Sequence, residues 1–236
     1  MFKSSNPALK KIPSAIGETA SVTGIINKTL LLFSIMLFGG WASHSYFGEI
    51  SSGMMMGTLL LNFIVAMVYI FNPTKSFLAP IYSITEGVLL YSISQVYEYQ
   101  YPGIVNNALL STIGVFGLML FVYRTGLIKV TQGFTKFMMI SMGSILFLYI
   151  GSLIGSIFGM DISYLTGNSN LSIGISVAVV AIASLTLILD FNRIEEAVSS
   201  NAPKNYEWYL SFGLILSLVW LYLEILRLLA KVKSRD

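Results

Sequence analysis

Hydrophobic positions along this chain cluster into long runs instead of alternating. Seven stretches, 29–47, 54–71, 78–97, 103–123, 137–158, 171–190 and 208–230, are largely apolar. Each is close to the ~20 residues an α-helix needs to cross the hydrocarbon core of a bilayer. The segments between them are short and hold helix-breaking residues, such as NPTK at 72–75, YPG at 101–103 and GNSN at 167–170. Lipid offers no hydrogen-bond partners to a bare backbone, so runs of this kind satisfy their amides internally, as helices. Tyr46, Tyr97, Tyr99, Tyr101, Trp208 and Tyr209 stand near run ends, where amphipathic rings anchor at the membrane surface. The pattern predicts an all-α polytopic membrane protein with seven transmembrane helices. A polar N-terminal segment covers 1–24, the seven-helix domain 25–231 and a basic tail 232–236.

Composition agrees with the pattern. Of 236 residues, 55% are apolar and 11% charged, and the mean hydropathy is +0.76. A soluble domain carries about 25% charged residues, so most of the usual polar coat is missing. There is no cysteine, which excludes disulfides, thiolate metal centres and cysteine nucleophiles. The net charge of +3 is too small and too dispersed for a nucleic-acid surface. The polar segment before the first run lacks the early apolar region and cleavage site of a signal peptide, so that run is expected to be retained.

Charge placement sets the orientation. Lys3, Lys10, Lys11 and Lys28 precede or open the first run. Lys75, then Arg124, Lys129 and Lys136, then Arg193 and Lys204 lie in alternate connections. The intervening connections hold only Glu49, Glu98 and Asp161. Basic loops stay inside, so the N-terminus is expected in the cytoplasm. The tail, with Arg227, Lys231, Lys233 and Arg235, conflicts with an outside C-terminus. A plain seventh crossing is still expected, since 208–230 has the length of one and no internal break.

Ionisable residues inside such runs are expensive and are functional candidates by default. Glu86 lies eight residues past Leu78, about 12 Å into its run, with no basic residue in the same run. It either serves a wet cavity or is a neutral, hydrogen-bonded acid of the packing. Asp190 closes the sixth run, and Arg193 follows one helical turn later, so an interfacial ion pair is the plainer reading. Glu224 and Arg227 share the same spacing in the seventh run. His44, the only histidine, is more readily structural than a switch.

Gly151, Gly155 and Gly159 recur every four residues, as do Gly53 and Gly57, a spacing that lets helix backbones approach closely in lipid. Catalysis is not expected. GISV at 174–177 mimics a serine-nucleophile context, but only His44 offers an imidazole. A small-residue packing face explains Ser176 equally well. No cofactor is expected, and any metal site is undetermined.

Several stretches together resemble the Bax inhibitor-1/YccA family, also called the transmembrane Bax inhibitor motif family, in its bacterial branch. They are FKSSNPAL (2–9), TEGVLLYSISQVYEYQYPGIV (85–105), YRTGLIKVT (123–131), LDFNRIEEAV (189–198), APKNYEWY (202–209) and WLYLEILRLLAK (220–231). The resemblance implies a seven-helix bundle with the last helix central, in the inner membrane of a bacterial cell. It implies a pH-sensitive calcium leak toward the cytoplasm, gated by two acids that share a proton. The alternative it implies is a non-transporting regulator of a membrane-bound AAA protease. LDFNRI assigns the first acid to Asp190, with Arg193 beside it. For the second acid, LYLE points to Glu224, with Glu86 as the rival partner. Two adjacent carboxylates cannot both ionise cheaply, which is the physical basis of such a latch. The oligomeric state stays open.

Overall fold

The computed structural model describes residues 17–48, 52–159, 165 and 167–235. The stretch 2–9 and residues Lys3, Lys10, Lys11, Glu49, Asp161 and Asp236 lie outside the described residues. The elements are α1 (Val22–Phe47), α2 (Ser52–Phe71), α3 (Leu78–Gln100), α4 (Ile104–Arg124), α5 (Gln132–Ile157), α6 (Asn170–Ser199) and α7 (Tyr206–Lys233). The only β-pairing among the described residues is an isolated bridge between Thr19 and Pro203.

Among the described residues, six helices are long and apolar enough to cross a membrane; α3 is not among them. Its 23 residues give adequate length, but Ser83, Thr85, Glu86, Ser92, Ser94, Gln95 and Glu98 dilute its apolar character. Three of these, Ser83, Glu86 and Ser92, are buried, so this helix turns polar groups inward.

Caps explain where the helices outrun the apolar runs. The Ser21 hydroxyl accepts from Gly24 N–H at 3.0 Å and starts α1 ahead of residue 29. The Thr131 hydroxyl accepts from Phe134 N–H at 3.1 Å and starts α5 ahead of 137. Each satisfies an amide that the first turn leaves unpaired. At α4 the Glu98 carboxylate accepts from Gly103 N–H at 2.6 Å and Val105 N–H at 3.0 Å, a charge favoured by the helix dipole. α6 also runs on past its apolar stretch. It does not stop at Asp190 but continues to Ser199 and ends where Asn201 adopts φ 55°. Asp190 is therefore an interior helical residue.

The chain divides into two compact units. The first comprises residues up to Gln95 together with Asn192–Ile215. Its aromatic core stacks Phe212 of α7 edge-on against Tyr69 of α2 and Tyr82 of α3, both at 4.8 Å between ring centres. Between α1 and α3 the backbones touch. A Cβ on Gly87 would fall on the Met36 carbonyl, and one on Gly39 would fall on the Ile84 carbonyl. Such small-residue contacts matter more in lipid than apolar burial, because hydrocarbon tails compete equally for apolar side chains. The segment before α1 is stapled to the α6–α7 turn by Ala20 N–H to Ala202 O at 2.7 Å and Lys204 N–H to Glu18 O at 3.0 Å.

The second unit comprises Val96–Phe191 and Leu216–Asp236. Here Phe191 of α6 packs against Phe116 and Tyr123 of α4, each at 5.7 Å. The C-terminal half of α7 meets α5 through Tyr149 and α6 through Ser172 and Ser176. α7 is one unbroken helix of 28 residues, about 42 Å long, which suits a full crossing and not a re-entrant dip. Half of its apolar window is buried and 44% of that of α6, against at most 22% for α1, α2, α4 and α5.

Candidate functional site

Four acids within the described helices are almost fully buried: Glu86 at 4%, Asp190 at 7%, Glu207 at 1% and Glu224 at 2% exposure. Each has a different setting.

Glu86 belongs to the first unit. Its polar neighbours are the side chains of Tyr82, one turn earlier on α3, and Asn62 on α2. Asn62 is itself fixed, donating to Thr85 Oγ1 at 3.1 Å. The Glu86 carboxyl thus has polar neighbours on both α2 and α3.

Glu224 belongs to the second unit and is closed in. Its oxygens accept from Tyr149 Oη at 2.9 and 3.0 Å, from Trp220 Nε1 at 3.1 Å and from Arg227 Nη1 at 3.1 and 3.2 Å. Arg227 also donates to Tyr149 Oη at 2.6 Å, and its guanidinium lies over the Tyr149 ring at 5.0 Å. The local pairing expected between Glu224 and Arg227 is present, with α5 completing it.

Asp190 lies in the same unit. Lys231 of α7 reaches Ser172 and Ser176 of α6. From Ser176, Asp190 is fourteen residues along α6, and from Lys231, Glu224 is seven along α7. Ser217 of α7 is half-buried. Arg193, one turn beyond Asp190, is exposed.

The glycine face on α5 needs correction. Gly155 is buried, but a Cβ on Gly151 would meet open space. Gly159 lies beyond the helix end with φ 74°. Gly53 and Gly57 are likewise open. Among the described glycines, the closest contacts with another backbone are at Gly39 and Gly87, and Gly24 meets the Glu207 carboxylate. His44 pairs with Tyr91, Nδ1 to Oη at 2.7 Å.

Two polar clusters escaped the sequence reading. At the start of α7, Glu207 is 1% exposed and accepts from Ser21 N–H at 2.9 Å and from Ser21 Oγ at 3.2 Å. It also pairs with Lys28, whose ammonium stands 5.4 Å over the Trp208 ring. The APKNYEWY stretch contained this lock, but only folding brings it to α1. Outside the helices, Glu18 pairs with Lys204. The hydrogen bond and charge of Lys204 hold the exposed Glu18 carboxyl below its ordinary range, and Glu18 holds Lys204 above its own. The second cluster surrounds Lys231, 6% exposed, which donates to the Leu165 carbonyl, to Ser172 O at 3.4 Å and to Ser176 Oγ at 2.7 Å. Among the described residues, no three histidine or acidic side chains converge in a way that would hold a metal ion.

The family of this architecture is established by its sequence. Residues 3–234 match the Bax inhibitor 1 like family model, and the chain belongs to that family. Apolar helices and membership together describe an integral membrane protein. No curated protein matches the chain.

Proposed function

We propose that this protein passes cations, calcium foremost, toward the cytoplasm as a pH-sensitive leak, with Asp190 as the titrating acid. The observation that supports this most is the burial of Asp190 in the interior of α6, in a helix otherwise apolar enough to span a bilayer. Acids so placed mark ion or proton pathways more often than they serve packing. Deprotonation there creates a charge that attracts a cation or unseats a seal. Glu224 already has Arg227 as its counter-ion and acts as a fixed structural element. Calcium is transported cargo in this reading, and neither catalysis nor a cofactor enters it. The inner membrane of a bacterial cell, with the N-terminus in the cytoplasm, is the setting implied by the charge map and the family branch.

Proteoliposomes containing only the purified protein test this reading. Calcium entry should exceed that of empty vesicles and change between mildly acidic and mildly alkaline pH. Flux equal to empty vesicles at every pH would remove the leak. A cysteine at Arg235 should label from outside the cell if α7 crosses as proposed.

A second reading, a non-transporting regulator that docks on a membrane-bound AAA protease, draws on α5. Only 6% of its apolar window is buried, and Gly151 leaves space for a close helix contact. Co-purification with the protease, in the absence of any flux, favours this reading.

A further inference from the structure

Lys231 is a buried cation whose described partners are all neutral oxygens. Its ammonium donates to the main-chain carbonyls of Leu165 and Ser172 and to the hydroxyl of Ser176. Ser172 adds a fourth oxygen nearby, since its Oγ is fully buried and has no hydrogen-bond partner. Ser172 and Ser176 lie one turn apart on α6, so their side chains share a face. The neighbouring charges on α7 differ in kind, because Arg227 is matched by Glu224. Carbonyl and hydroxyl oxygens around a single positive charge are how proteins replace the hydration shell of a monovalent ion. Calcium sites instead rely on carboxylates and six to eight oxygens. An ammonium group and a potassium ion are similar in size and charge.

We infer that the oxygens of Leu165, Ser172 and Ser176 form a monovalent-cation site that the chain fills with its own Lys231. Binding of an ion there is blocked in the native protein and exposed when the lysine is shortened or neutralised. A second consequence rests on the leak reading above: Lys231 is a tethered competitor for ions passing at its level, and it disfavours monovalent traffic.

The test compares wild type with Lys231→Met, which keeps most of the stem and removes the charge. Thermal unfolding of the purified proteins is followed in choline, sodium, potassium and calcium chlorides at matched ionic strength. The wild-type Tm should not distinguish choline from sodium or potassium. The variant's Tm should rise with potassium or sodium concentration, as mass action requires for a ligand of the native state, and not with calcium. Adding Ser176→Ala should reduce that rise. A folded Lys231→Met protein indifferent to cation identity overturns the site. If Lys231→Met is unfolded in choline, recovery of folded protein in potassium or sodium supports the site, and failure in every salt counts against it. Covalent labelling of Ser176 in wild type by a fluorophosphonate would also overturn it, because the lysine would then be acting as a neutral base. In proteoliposomes the variant should gain a potassium leak. Cation-dependent stabilisation without that gain overturns the competitor role alone.

Discussion

Arg227 stands one helical turn beyond Glu224 on α7 and donates through Nη1 to both of its carboxylate oxygens, at 3.2 and 3.1 Å. The two sides are unequally sheltered, since Glu224 is 2% exposed and Arg227 38%. Removing the arginine strands a buried charge, whereas removing the acid leaves a cation that still reaches solvent and Tyr149. Breaking a fully buried pair costs about 3–5 kcal/mol, and the exposure of Arg227 places this one below that range. Arg227→Met should therefore destabilise the protein by about 2 kcal/mol. Glu224→Gln should cost less, because its amide oxygen still accepts from Tyr149 and Trp220. The double variant should be milder than the sum. Thermal unfolding in detergent measures all three, and a larger loss in Glu224→Gln than in Arg227→Met would refute this ordering.

Gly87 makes a sharper packing prediction. Its missing Cβ would overlap the Met36 carbonyl, and backbone cannot rotate aside as a side chain can. Gly87→Ala should cost about 1–3 kcal/mol through overpacking, despite the better helix propensity of alanine. Gly151→Ala meets open space and should be neutral or gain up to about 1 kcal/mol. Equal stability of the two variants would show that α1 and α3 do not depend on this contact.

These two cases also mark how far the sequence could be read. Apolar run lengths located the seven helices among the described residues, because lipid forces an apolar run to close its own hydrogen bonds. Helix ends were less legible. Ser21 and Thr131 begin helices inside polar segments, and the polar residues after Asp190 did not mark where α6 ends, at Ser199. Regular spacing at Gly151, Gly155 and Gly159 suggested a packing face, while the glycines in contact, Gly39 and Gly87, sit on different helices. Lys231 read as part of a basic tail because its oxygen partners, Leu165, Ser172 and Ser176, lie 55 to 66 residues away. Contacts between distant segments leave no periodic trace.

The exposed Glu18–Lys204 pair supplies a control for pH experiments. Glu18 is held below its ordinary value of 4.5, so its contribution is present above that value and fades as pH falls through the lower folded one. Lys204 is held above 10.5, so its part persists below that value and fades only as pH rises past the higher folded one. Between these limits the pair is constant. Glu18→Gln should leave the pH response of any calcium leak unchanged across the neutral range, and should lower stability only slightly, more at low salt than at high. A shifted leak midpoint in this variant would move pH sensing to the N-terminal staple.

Asp190 carries the deciding prediction. It is buried within α6, beside the Phe191 ring held by Phe116 and Tyr123. If Asp190 titrates, Asp190→Asn fixes the neutral state, and the calcium leak should lose its pH dependence across the neutral range while the protein still folds. The amplitude of the remaining leak follows from mechanism. A variant locked leaky means the charge normally completes a seal, and a variant locked tight means the charge recruits the ion. Both require titration at this residue, so the flattened profile is the diagnostic. Glu86→Gln separates a coupled acid from a packing acid. Held by Tyr82 and Asn62, Glu86 should tolerate the amide with an unchanged midpoint if it serves packing, and should shift the midpoint if the two acids interact. Glu224→Gln should lower stability without moving the midpoint, because its charge is already committed to Arg227. An Asp190→Asn protein whose leak keeps the wild-type pH profile would remove Asp190 from the mechanism and leave it as a buried structural acid of α6.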